Sequence, residues 1–202
     1  DHTMGLNDVL FTPWIEGRKV PLALYGPPGT AHLARSIIEG NREDIAERLA
    51  SAGGPAAGAY RADVHEIREG VVLHDARVTI RAFAVPHSAW KHAFGYHIRT
   101  PDRTIVISGD TRATPAMARE CNGCDILIHE VYSDSGFTTI PTARQPYHAQ
   151  AHTSATQLGD IATAARPGLL VLYHQLRFGA SDSTLVREVQ SRFSGRVVSA
   201  RD

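Results

Sequence analysis

Eleven histidines stand in 202 residues, and their positions matter more than their number. Several apolar runs end on an acid or an imidazole. "RAFAV" runs into Pro86-His87, "TIVISG" into Asp110, "DILI" into His129-Glu130 and "LLVLY" into His174. Neutral imidazole and ionised carboxylate are the nitrogen and oxygen donors that suit zinc. An aspartate at the end of a buried strand is costly to leave uncompensated, and a cation would offset that cost. Each residue alone has a blander reading: a histidine after a strand is usually a loop or core residue, and the aspartate of "SGDTR" is a common turn or cap residue. Their recurrence at the ends of separate strands points to metal-assisted chemistry, because ligands of open α/β sheets gather at the carboxyl edge. The chain also opens on an acid and an imidazole, Asp1-His2.

The elements that must position these residues are legible from pattern. "KVPLALYGPPG" reads as a short buried strand closed by a Pro-Pro-Gly turn. "TAHLARSIIEG" follows as a helix, with Thr30 expected at the N-cap and Gly40 as the stop. "REDIAERLASAGG" is a second helical pattern, and "DVHEIR" and "ARVTIRAFAV" are strands, the latter with apolar and polar residues alternating. "FGYHIRT" and "RTIVISG" flank Pro101-Asp102 as a hairpin. A short helix near "TPAMAREC", the strand "DILIHEVY", a helix over "SATQLGDIATAA" capped by Thr153 or Ser154, the strand "GLLVLYH", a helix over "DSTLVREVQSRF" and a last strand "GRVVSA" complete the chain. Alternation of this kind indicates a layered α/β protein. The segment "SDSGFTTIPTARQPYHAQA" shows little periodicity and reads as a long loop, with Phe137, Tyr147 and His148 either lining a cleft or pinning the loop.

Composition narrows the function classes. Lys plus Arg and Asp plus Glu are each 21, so the formal net charge is zero. That provides no strong electrostatic footprint for nucleic acid. No apolar run approaches the ~18 residues needed to span a bilayer. Cys121 and Cys124, in "ECNGCD", are too few for a structural zinc site and read as turn residues between a helix and a strand.

Taken in order, "DHTMGLNDVLFTPW", "VPHSAWKHAFGY", "ISGDTR", "IHEVY", "AHTSA" and "LYHQLRFG" resemble the motifs of the metallo-β-lactamase superfamily, in its ribonuclease Z-like branch. The resemblance covers nearly the whole chain. It implies one αββα four-layer sandwich domain over residues 1–202, here lacking part of the first β-layer. Asp1 and His2 match the second half of the family's HxHxDH signature, which implies a sequence truncated at its amino-terminal side. The metal ligands implied are Asp1, His2, His87, Asp110 and His174, with Asp110 shared between two zinc ions; manganese or iron is an alternative. Asp1 is also implied to orient the nucleophile or take its proton.

Two zinc ions ~3.5–4 Å apart hold a bridging hydroxide at neutral pH and polarise the bond under attack. The family draws its leaving-group proton from a histidine held by a glutamate, which here implies His152 and Glu130 as catalytic residues. A carboxylate beside an imidazole favours one tautomer and the protonated ring. The bland reading is a structural contact between two loops. Trp90, Phe94 and Phe178 neighbour the ligands and form either an apolar wall or core.

The activity expected is hydrolysis of a small anionic ester, a phosphodiester or an aryl sulfate. The alternative is the family's transfer-RNA 3′-processing endoribonuclease, with RNA as partner. That enzyme usually carries a protruding Gly/Pro-rich arm between the motifs matched by His87 and Asp110, where this chain has a direct run. A metal-depleted binding module is a third reading, which the retained Asp110, Glu130 and His152 oppose. No membrane partner is expected, and a homodimer is implied only by the relatives' habit.

Overall fold

The computed structural model describes residues 2–201. They divide into two compact units, residues 1–67 and 68–202, each described by itself. The first contains α1 (Leu6–Ile15), β1 (Leu22–Gly26), α2 (Thr30–Gly40), α3 (Arg42–Ala50) and β2 (Ala62–Glu66), with β1 and β2 paired in parallel. Its core is Leu10, Phe11, Trp14, Ile45 and Ala59. The Trp14 indole donates to the Ala56 carbonyl at 2.9 Å, and the Arg18 guanidinium donates to the carbonyls of Leu10 and Ala59.

Helix α2 corrects two expectations. Gly29, at φ 102°, is the N-cap, and Thr30 is the first helical residue with its hydroxyl donating to the Pro27 carbonyl. The cap is supplied from a distance: the Glu66 carboxylate at the end of β2 accepts from the Gly29 and Ala31 N–H groups. Those orphan donors, and the positive end of the helix, draw the carboxyl below its usual range. At the other end Gly40 is still helical and Asn41 is the C-cap.

The second unit is a sheet of seven strands: β3 (Gly70–His74), β4 (Thr79–Ala84), β5 (Phe94–Arg99), β6 (Thr104–Ile107), β7 (Ile126–Tyr132), β8 (Leu169–Leu176) and β9 (Val197–Ser199), in that spatial order. The expected hairpin at Pro101-Asp102 is present. Its ends are tied by Thr100 N–H to the Arg103 carbonyl at 2.9 Å, and the Thr100 hydroxyl donates to Asp102. Strands β3 to β6 alternate in direction, whereas β6 to β9 are mutually parallel. Two reversals separate β4 from β6, so β4 runs the same way as β6, β7 and β8.

The connections are α4 (Pro115–Cys121), α5 (Asp134–Phe137), α6 (Gln145–Ala151), α7 (Ala155–Ala165) and α8 (Asp182–Gln190). Helices α4, α7 and α8 bury one sheet face, joining Met117, Leu158, Ala162, Leu185 and Val189 to Val106, Leu127, Val131, Leu170 and Leu172. Ser154 caps α7 in a full capping box with Gln157, one of the two residues expected there. The segment expected to be a long loop contains α5 and α6; neither is long enough to leave a readable period. Cys121 and Cys124 do lie between a helix and a strand, but as a buried disulfide rather than free thiols.

His129 is fully buried on β7, on the same face as Leu127 and Val131, which join the apolar core. Burial lowers its pKa from 6.5 to about 4. Between those values the unfolded chain takes up a proton that the native one refuses, so this histidine leaves stability intact above pH 6.5 and erodes it as the pH falls towards 4. His129→Leu should flatten that acid slope by about 1 kcal/mol per pH unit, measured by urea unfolding at a series of pH values.

Candidate metal centre

Because β4, β6, β7 and β8 run in one direction, the residues that follow or close them meet at one edge of the sheet. His87 lies three residues past β4 and Asp110 three past β6, while Glu130 and His174 lie inside β7 and β8 near their carboxyl ends. β7 ends where the strand "DILIHEVY" was expected to end, whereas β8 runs two residues past the expected "GLLVLYH". His174 is placed by a defect in the pairing: Glu130 pairs with Tyr173 and Val131 with Gln175, leaving His174 as the extra residue of a bulge. Its φ of 41° is unusual for a non-glycine residue. Bulges re-aim side chains beside functional sites.

Asp110 is delivered by a sharper turn. Gly109 has φ 62°, and a Cβ there would collide with the Phe94 carbonyl, so the turn requires glycine. Asp110 is buried, and its carboxylate lies 3.4 Å from the His174 Nε2 and 4.0 Å from the His152 Nδ1. His87, Asp110 and His152 place ligand-type atoms within 4.8 Å of one another, and so do Glu130, His152 and His174. The donor set fits a divalent transition metal. The His87 Nδ1 contacts the Ala151 carbonyl at 2.8 Å, so this nitrogen carries the hydrogen and Nε2 is left as the donor.

His152 is buried at the end of α6, with Nδ1 3.4 Å from the Glu130 carboxylate. Glu130 has no exposure at all. Burial raises its pKa well above the usual range and the neighbouring Asp110 adds to this, while N–H groups of Thr153 and Thr111 oppose it. Both N–H groups converge on one oxygen, Oε1, at 2.9 and 3.3 Å. The Thr153 hydroxyl donates to the Thr111 carbonyl at 2.7 Å, tying the Asp110 loop to the His152 loop.

The α5 segment is held from a distance. The Glu188 carboxylate of α8 accepts from the Ser133 hydroxyl, the Asp134 N–H and the Ser135 N–H and hydroxyl. Asp134 in turn accepts from the Thr156 N–H of α7 at 2.8 Å. Two further groups were not visible in the chain: Tyr173, pushed up to about 12 by burial, and Ser108, whose hydroxyl accepts from the Glu130 N–H. Neither has a spacing or residue type that marks it.

The expected residues His87, Asp110, Glu130, His152 and His174 are thus brought together within residues 68–202. His2 is exposed in the turn before α1. Asp1 lies outside the described residues. Of the aromatics, Trp90 is exposed and Phe94 and Phe178 are half-buried.

The family described as "Beta-lactamase superfamily domain" matches residues 1–175. A ribonuclease Z of Mycobacterium avium is 31% identical over 98% of this chain and 72% of its own length. A ribonuclease Z of Mycobacterium sp. (strain KMS) is 29% identical over 87% of this chain, which spans 62% of that relative. Among solved structures, the metallo-β-lactamase fold protein YhfI of Bacillus subtilis superposes with a TM-score of 0.69 at 19% identity, covering 100% of this chain and 71% of that one.

Glu130→Ala should destabilise the protein by about 1–3 kcal/mol, since it strands two buried N–H groups. Glu130→Gln keeps an oxygen for both and should cost clearly less, as read from paired urea melts.

Proposed function

The chain belongs to the beta-lactamase superfamily, in its metallo-β-lactamase, ribonuclease Z-like branch, and we propose that it is a metal-dependent hydrolase cleaving a phosphodiester in a small anionic substrate. The observation that carries the reading is the meeting of His87, Asp110, Glu130, His152 and His174 at one sheet edge, where His87, Asp110 and His152, and again Glu130, His152 and His174, bring their donor atoms within 4.8 Å of one another. We take residues 1–202 as one functional domain. His87, Asp110 and His174 are the proposed ligands, with zinc as the proposed metal and two ions as the proposed number. Asp1 and His2 stay in the set on the strength of "DHTMGLND" alone.

When bound, the metal supplies Lewis-acid polarisation of the ester and a water acidic enough to react at neutral pH. The chain's own residues do the rest. Asp110 accumulates negative charge where cations are wanted. His87 is fixed in one tautomer by the Ala151 carbonyl. His152 holds the proton for the leaving oxygen on Nε2, because Nδ1 faces Glu130 at 3.4 Å. Glu130 orients that ring through Oε2 while Oε1 is occupied by the two threonine N–H groups.

A second reading, transfer-RNA 3′ processing, is favoured by the names of the mycobacterial relatives. The segment between His87 and Asp110 favours the small substrate: it is filled by β5, a tight turn at Thr100–Arg103 and β6. The relatives give sulfate esters no comparable support.

Metal analysis of the full-length protein, followed by assays on bis(p-nitrophenyl) phosphate, p-nitrophenyl sulfate, a lactone and precursor transfer RNA, tests the proposal. Turnover of the phosphodiester first is expected, and 3′-trailer cleavage of the RNA as the preferred reaction would reverse the ranking. Asp110→Ala should remove metal and lower kcat/KM by about 10²–10³-fold or more. His152→Ala should retain metal and slow esters with poor leaving groups more than those with good ones. Loss of metal in that variant would make His152 a ligand instead.

A further inference from the structure

A row of rings leads away from the candidate metal centre. His174 and His152 lie 5.6 Å apart at 27°, and His152 and His148 lie 5.9 Å apart at 30°. His148 is buried, and its far side meets Phe178 edge-on at 4.9 Å. Its Nδ1 has no hydrogen-bond partner among the described residues. The position is well supported. Gly136 of α5 passes so close to the Arg177 carbonyl and Phe178 that no side chain fits there. The Thr139 hydroxyl donates to the Phe178 carbonyl.

Tyr147 is different. It is next to His148 in α6, 5.3 Å from that ring and 6.4 Å from His152, yet it is 52% exposed. Its neighbours are therefore the ring that protonates the leaving oxygen and the ring beyond it. The loop carrying His87 and the exposed Trp90 is joined to the same helix by the Ser88 N–H to the Gln150 carbonyl at 3.2 Å.

Whatever is attached to an oxygen protonated by His152 must lie beside the neighbours of His152. We infer that Tyr147, backed by His148 and Phe178, forms the leaving-group subsite and selects substrates whose leaving alcohol carries a flat ring, an aryl group or a nucleoside. The inference rests on the hydrolase reading above and assigns its specificity. An exposed ring next to a proton donor provides a stacking face that tolerates different heterocycles. The buried His148 behind it, braced in turn by Phe178, keeps that face in place.

The test uses the full-length, metal-loaded protein and two methyl phosphodiesters with leaving groups of comparable acidity, one phenyl and one hexafluoroisopropyl. The ratio of their kcat/KM values should fall about tenfold in Tyr147→Ala, the size expected for one lost stacking face. Tyr147→Phe should restore the ratio, and Tyr147→Leu should not. An unchanged ratio in Tyr147→Ala would overturn the inference, as would restoration by leucine. A binding measurement separates this from the hydrolase reading itself. Phenylphosphonate should bind the wild type more tightly than methylphosphonate, and Tyr147→Ala should abolish the advantage. If neither ester is turned over but the phenyl advantage is present and lost in the variant, the subsite stands and the hydrolase reading falls. If the advantage is absent, the subsite falls whatever the esters do.

Discussion

Two carboxylates buried side by side set the conditions for everything around them. Asp110 and Glu130 are both withdrawn from water, and Asp110 adds to the cost that burial puts on a charge at Glu130. A fold keeps such a pair only by surrounding it with donors and cations. Here the surroundings are two threonine N–H groups on one oxygen of Glu130, imidazoles on the other side, and the room for a metal that the proposal requires. The polar edge is costly, and the opposite face of the sheet is a dry core of helices α4, α7 and α8 that holds the strand ends in register. The same geometry separates the histidines of β7 and α6. His129 turns into the core and is kept neutral, while His152 faces the carboxylates.

Much of this edge was legible in the chain because strands announce themselves by period and a polar residue after an apolar run stands out. His87, Asp110, Glu130 and His174 were found that way, and the structure brings them together. Capping was legible where the cap is local, as at Ser154, and illegible where it comes from afar, as with Glu66 on α2. The bulge at His174 left no trace, since an extra residue in one strand is defined only by its partner strand. Helices α5 and α6 are too short to show a period, so the segment that carries His148 looked featureless. The disulfide was equally silent: a CxxC spacing does not distinguish thiols from a bond.

Tyr173 and Ser108 show how support groups escape a reading by residue type. Serine and tyrosine occur everywhere, and only tertiary structure reveals that one hydroxyl receives the Glu130 N–H and that the other, half-buried, feels the charge of Asp110 and Glu130. Such groups set the position of a catalytic atom without doing chemistry themselves.

Glu188 has a reach that extends past its own helix. It grips residues 133–135 from a point beyond position 175, where the family match ends. The segment leading to His148 and His152 is thus moored by a part of the polypeptide that the shared profile does not constrain. A change at Glu188 would therefore release residues 133–135 from α8, and slacken the approach to His148 and His152, while every motif residue stayed the same.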